Sequence, residues 1–141
     1  LNRLEMIMER GKRILVATSD KDEECRICRF LSEDEGHKVK VVESGQEAVH
    51  DILGGEIDLA VIDLELNKVT GLEVIEKVKK SKVEVPLIVI SGDSSVQTGS
   101  KVVEKGVFYY LYKPVEMEML GEVVNAALKR FSKTNNIYKE K

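Results

Sequence analysis

Apolar residues in this chain gather in short unbroken runs, and longer stretches with apolar positions at helical spacing separate them. Ile14-Leu15-Val16-Ala17 is the first run. Residues 39–42, 57–64, 87–90 and 108–112 form the next ones. Asp58 interrupts the third run and Asp63 closes it, Pro86 opens the fourth, and the fifth is rich in aromatics. Runs this short and apolar suit strands buried on both faces.

The intervening stretches predict helices. Residues 21–35 are charged but carry Ile27, Phe30 and Leu31 on one face, and Gly36 closes them. Residues 46–53 run into Gly54-Gly55, and 71–80 carry Leu72, Ile75 and Val78 at helical spacing. Residues 94–105 give a weaker signal, being polar and containing Gly99. Residues 116–131 give the clearest one, with Leu120, Val123, Val124, Ala127, Leu128 and Phe131 as the apolar stripe. Five strands alternating with five helices predict an α/β fold with right-handed crossovers and a parallel sheet covered on both faces. Leu15, Val16, Val61, Ile62, Ile88, Val89, Ile90, Leu120 and Val124 are the expected core. In such a sheet the chemistry belongs at the carboxyl ends of the strands.

Composition narrows the class. The 141 residues are 43% hydrophobic and 33% charged, which suits one globular domain that needs neither disulfide nor metal to fold. Lys and Arg number 22 against 25 Asp and Glu, a net charge of −3 that argues against direct nucleic-acid binding. No apolar run approaches the roughly 18–20 residues that span a bilayer. The opening LNRLEMIMERGKR lacks the apolar centre and cleavage site of a signal peptide. Cys25 and Cys28 are too few for a secreted disulfide framework, so a cytoplasmic location is expected. Residues 1–12 read as a leader or the end of a linker, with Leu1, Leu4 and Met8 as a helical seam. Residues 13–131 read as the folded domain, and 132–141 as a flexible polar tail.

The strand ends carry the candidate chemistry. The first strand ends in Thr18-Ser19-Asp20, the third in Asp63, the fourth in Ser91-Gly92 and the fifth in Lys113-Pro114. A carboxylate, a hydroxyl and an ammonium on one rim permit phosphoryl capture. Asp63 would be the oxygen nucleophile that forms an acyl phosphate. Lys113 would pair with the phosphoryl oxygens, and Ser91 would donate to another of them. A divalent cation would neutralise the gathered charge. An Asp at a strand end is often only a turn residue or a helix cap. It is the joint occurrence at several strand ends that favours chemistry.

Over residues 13–131 the sequence resembles the receiver domain of two-component response regulators. Asp63 stands at a strand end, with Gly71 eight residues on. Gly36-His37-x-Val39 with Ser44-Gly45-x-Glu47-Ala48 resembles the second strand and helix of that family. Pro86-Leu87-Ile88-Val89-Ile90-Ser91-Gly92 looks like its fourth strand, and Tyr110-Leu111-Tyr112-Lys113-Pro114 like its fifth. The resemblance implies a flavodoxin-like α/β/α fold of strand order 2-1-3-4-5, with two helices on one face and three on the other. It implies Asp63 as phosphoacceptor, Ser91 as switch hydroxyl, Lys113 as phosphate-binding lysine and Tyr110 as switch aromatic. It further implies a cis Lys113–Pro114 bond, and Mg²⁺ held by Asp63 and by the Glu65 main-chain carbonyl, with Asp20 as a further ligand if its loop turns inward.

The sequence also departs from the family pattern. Two acidic residues usually close the first strand, but here Thr18 and Ser19 stand there and Asp20 comes one place late. Asn67 replaces the Pro usual four residues after the phosphoacceptor. Weak Mg²⁺ binding, slow phosphorylation and a nearly balanced charge around Lys113 are therefore expected. Other motifs yield little. Cys25-x-x-Cys28 falls inside a helix, away from the N-terminus where a redox pair works. His37 and His50 match no metal spacing, and neither a P-loop nor a dinucleotide fingerprint is present.

Two functions follow. In the first, a histidine kinase or phosphotransfer protein phosphorylates Asp63 and a downstream protein or domain reads the change. The chain then catalyses at most its own phosphoryl transfer and dephosphorylation. In the second, it is a pseudo-receiver that binds a partner constitutively without phosphate. Val102, Val103, Tyr110 and Tyr112 fall near the expected output face, where a monomer or a weak homodimer is expected. No membrane partner is expected.

Overall fold

The computed structural model describes residues 10–139, with side chains described to Phe131; the Leu1, Leu4 and Met8 seam lies outside the described residues. Strands β1 (Arg13–Ala17), β2 (Lys38–Val42), β3 (Leu59–Asp63), β4 (Leu87–Ser91) and β5 (Tyr109–Tyr112) form one sheet of order β2-β1-β3-β4-β5. Every pairing is parallel, so all the strands end on the same rim. Helices α1 (Lys21–Arg29), α2 (Gly45–Leu53), α3 (Gly71–Lys80), α4 (Val96–Glu104) and α5 (Met117–Lys139) are the crossovers and the closing helix.

Alternation along the strands divides the core in two. Ile14, Val16, Val61 and Ile88 face α1 and α5, meeting Ile27, Leu31, Leu120 and Val124. Leu15, Ala17, Ala60, Ile62 and Val89 face α2, α3 and α4, meeting Ala48, Ile52, Val74, Ile75 and Val102. The expected core residues are all buried, and the helices divide two and three as the resemblance implied. Among the described residues, no helix is long and apolar enough to cross a membrane.

Local chemistry sets the helix starts. Asp20, Ser44, Thr70 and Ser95 are N-caps whose side chains accept from the backbone N–H of Glu23, Glu47, Glu73 and Thr98. Each such cap contributes about 1 kcal/mol. Helix α4, the one with the weaker sequence signal, has further support. Asp93 Oδ1 accepts from Ser95 N at 2.9 Å, and its Oδ2 accepts from the Thr98 hydroxyl at 2.7 Å.

Three features differ from the sequence reading. The helix expected over 21–35 is α-helical only to Arg29 and continues as a π-helical segment, Phe30–Asp34. Helix α5 continues to Lys139, past the start of the expected polar tail. Val102, expected on the outer face, is buried against the sheet, while its neighbour Val103 is 65% exposed. A helix turns about 100° per residue, so adjacent positions face apart.

Candidate functional site

Asp63 ends β3 and is only 1% exposed. A carboxylate in that position needs donors on its oxygens. Oδ2 accepts from the Thr18 hydroxyl at 2.7 Å and faces Lys113 Nζ at 2.7 Å. Oδ1 accepts from the backbone N–H of Glu65 at 2.9 Å, which turns the chain back beneath the carboxylate. The loop then returns so tightly that a Cβ on Gly71 would stand 2.5 Å from the Asp63 carbonyl oxygen. This close approach explains the glycine eight residues after Asp63.

Lys113 follows β5, and its backbone N–H donates to the Ser91 carbonyl at 2.8 Å, extending the ladder with β4. Its side chain is 14% exposed. Burial pulls the ammonium pKa down, but the hydrogen bond and charge of Asp63, with Glu65 and Asp20 behind them, raise it overall. Asp20 Oδ2 lies 3.4 Å from Nζ and Glu65 Oε1 3.6 Å from it. Asp20 is held below its ordinary pKa, first by the Glu23 N–H that it caps and then, against some burial, by Lys113.

The expected charge balance is thus corrected. Three carboxylates stand within 4 Å of Lys113, because the Glu65 side chain comes in from the loop after β3. Sequence spacing places Glu65 beside Asp63 but gives no sign of where its side chain lies.

Ser91, the last residue of β4, is fully buried. Its hydroxyl donates to Glu65 Oε2 at 2.8 Å and accepts from Asp93 N at 2.9 Å. Gly92 N–H donates to Glu65 Oε1 at 2.6 Å. The Tyr110 hydroxyl donates to the Asp93 carbonyl at 2.9 Å, and its ring meets Tyr112 edge-on with centroids 5.2 Å apart. The structure therefore brings Asp63, Asp20, Ser91, Lys113 and Tyr110 to one rim. The Lys113–Pro114 bond is cis, as expected.

A buried clamp behind the lysine was not foreseen. Glu23 accepts from Val115 N at 3.3 Å, and Arg26 reaches both Glu23 at 3.1 Å and the Val115 carbonyl at 2.7 Å. Its sequence signal is an acid on the core stripe of α1, four residues before Ile27. The cysteines lie elsewhere. Cys25 is exposed and Cys28 half-buried, and burial pushes the Cys28 thiol up to about 11, which opposes a reactive thiolate.

Residues 14–125 match the response regulator receiver domain family, and the chain belongs to it. It is 26% identical over 121 residues to the transcriptional regulatory protein ZraR of Salmonella typhimurium, across 86% of this chain and 27% of that protein. The chain therefore spans about a quarter of that relative's length. A receiver domain structure from Methanospirillum hungatei superposes with a TM-score of 0.80 at 27% identity, covering 88% of this chain and 98% of that one. The receiver domain of a Pseudomonas aeruginosa sensor histidine kinase shares the fold (TM-score 0.75, 18% identity, 84% and 98% covered) and was solved with magnesium in its active-site cleft. The chain is thus a two-component signalling domain with the CheY-like fold.

The side chains here fit such an ion poorly. Asp63 spends both oxygens on Thr18, Lys113 and Glu65 N–H, Asp20 caps α1, and the Glu65 carboxylate points to Ser91 and Gly92. Among the described residues, no three His, Cys, Asp or Glu side chains converge to hold a metal.

Proposed function

We propose that this chain is a phosphorylation-controlled interaction switch with Asp63 as its phosphoacceptor. The observation that carries the reading is the Asp63–Lys113 pair: a buried strand-end carboxylate with an ammonium at 2.7 Å and the Ser91 hydroxyl and Gly92 N–H on the same rim. A carboxylate oxygen of Asp63 attacks the phosphorus of a phosphohistidine donor. The P–O bond forms as the P–N bond breaks, and the imidazole leaves with the electron pair. Lys113 follows the charge from the carboxylate to the phosphoryl oxygens, where about −1.5 to −2 accumulates. Hydrolysis of the acyl phosphate by water returns Asp63 and inorganic phosphate. Asp93 links Ser91 to Tyr110 through its N–H and carbonyl, so a change at Ser91 reaches the aromatic and the α4–β5–α5 face.

The upstream partner on this reading is a histidine kinase or phosphotransfer protein in the cytoplasm, and the downstream partner a protein or domain that docks on that face. Mg²⁺ binding is weak, because Thr18 stands in the place of an acidic ligand and donates its proton to Asp63. The test is incubation with acetyl phosphate and Mg²⁺ followed by intact mass. A phosphoryl adduct that disappears in Asp63→Asn is the expected result. No adduct at high donor and metal concentration would sink the switch and leave the pseudo-receiver, a constitutive interaction module.

A further inference from the structure

Three donors on the rim face one small volume: the Ser91 hydroxyl, the Gly92 N–H and the Lys113 ammonium. In this structure that volume holds the carboxylate of Glu65, at 2.8, 2.6 and 3.6 Å respectively. One buried hydroxyl, one backbone N–H and one ammonium make a seat for an anion. A carboxylate and a phosphoryl group present the same feature to it, oxygens sharing negative charge.

Two further observations show that the seat suits Glu65. Gly92 leaves room, since a Cβ there would stand 3.3 Å from Glu65 Oε1, closer than side chains ordinarily approach. The Glu65 backbone is pinned by its N–H on Asp63 Oδ1, while its side chain is 45% exposed. The carboxylate can therefore swing into solvent about a fixed base, at little cost in burial.

We propose that Glu65 is a tethered surrogate for the phosphoryl group: its carboxylate fills the anion seat of Ser91, Gly92 and Lys113 and must leave before a phosphoryl group on Asp63 can enter. This deepens the phosphoacceptor reading and rests on it. Two consequences follow. The unphosphorylated chain already holds Ser91 as it would be held by an anion, and through Asp93 it holds Tyr110 as well. Phosphorylation exchanges one anion for another in the seat, so the affinity for the incoming group is reduced.

The test uses the full chain labelled with ¹⁵N, as unmodified protein, Glu65→Gln, Glu65→Ala and Asp63→Asn. Each is titrated with beryllium trifluoride, a mimic of the phosphoryl group on aspartate, at high Mg²⁺. Without the mimic, the Gly92 amide signal should move in both Glu65 variants, and the mimic should return it toward its position in the unmodified protein. Affinity for the mimic should rise about tenfold in Glu65→Ala, the scale of one charge-assisted hydrogen bond, and less in Glu65→Gln, whose amide oxygen still accepts. A Gly92 signal that ignores Glu65, or equal affinity in the unmodified protein and Glu65→Ala, overturns the surrogate alone. Binding that survives Asp63→Asn, or fails in every protein, overturns the phosphoacceptor reading and the surrogate with it.

Discussion

The Thr18 hydroxyl donates its proton to Asp63 across 2.7 Å, with both side chains buried at the carboxyl end of the sheet. The same oxygen accepts from Asp20 N at 3.1 Å, so Thr18 also shapes the turn into α1. A neutral donor thus stands where the family usually has a repelling acid. Thr18→Val keeps the shape and removes both bonds. It should destabilise the fold by about 1.5–3 kcal/mol, the worth of a hydrogen bond to a charged group, with Asp63 Oδ2 keeping Lys113. Urea unfolding at pH 7 measures this, and a variant as stable as the unmodified protein would show the bond to be incidental.

Lys113 neutralises more than its direct partner. Lys113→Met leaves Asp63, Asp20 and Glu65 without their common cation. Breaking a buried pair from one side costs about 3–5 kcal/mol, and the exposure of Asp20 and Glu65 puts the expected loss near the lower figure. Urea unfolding at pH 7 measures the loss. The double variant with Asp63→Asn should lose less than the sum of the single losses.

Much of this architecture is legible in the sequence because burial on both faces leaves a plain mark. Ile88, Val89 and Ile90 could only be a central strand, and Asp63, Ser91 and Lys113 then fall on one rim by topology. Three things were not legible, and each depends on where a long or turned side chain goes. Glu65 is one flexible carboxylate among 25 acidic residues, and only the folded loop brings it to Ser91. Glu23 joins Arg26, on its own helix, to Val115, 92 residues away. Val102 and Val103 differ only in helix phase, and the polar composition of α4 with its Gly99 leaves that phase unmarked.

His37 supplies a pH dependence remote from the site. It is 5% exposed, its Nδ1 accepts from Lys12 N at 3.3 Å, and its buried Nε2 has no hydrogen-bond partner among the described residues. Burial first, then the charges of Lys12 and Arg10, hold its pKa below 6.5, and Asp58 offsets them only in part. A depressed folded pKa means that the unfolded chain binds the proton first on acidification. The contribution of His37 to stability is therefore intact above about pH 6.5 and declines as pH falls through the lowered folded value. His37→Gln should flatten the stability profile between pH 7 and 5. An unchanged slope would place the acid sensitivity elsewhere.

The metal prediction turns on Thr18 and Ser19. Hard Mg²⁺ prefers carboxylate oxygen, and the Thr18 hydroxyl is committed as a donor to Asp63. Thr18→Asp with Ser19→Asp would supply the missing acids. Without metal the new charges face Asp63, Asp20 and Glu65 with Lys113 as their shared cation, so the double variant should melt below the unmodified protein. Mg²⁺ should reverse the order. Perturbing only the outer shell of a metal site costs about 10–100-fold in affinity, so restoring direct ligands should tighten binding by at least that range. A metal at free concentration c that binds the folded state alone stabilises it by RT ln(1 + c/Kd). The melting temperature of the double variant should therefore climb steeply with Mg²⁺ while that of the unmodified chain barely moves, and its acetyl phosphate reaction should quicken in parallel. Equal Mg²⁺ responses in the two proteins would mean that Asp20, turned inward from its cap on α1, already completes the site.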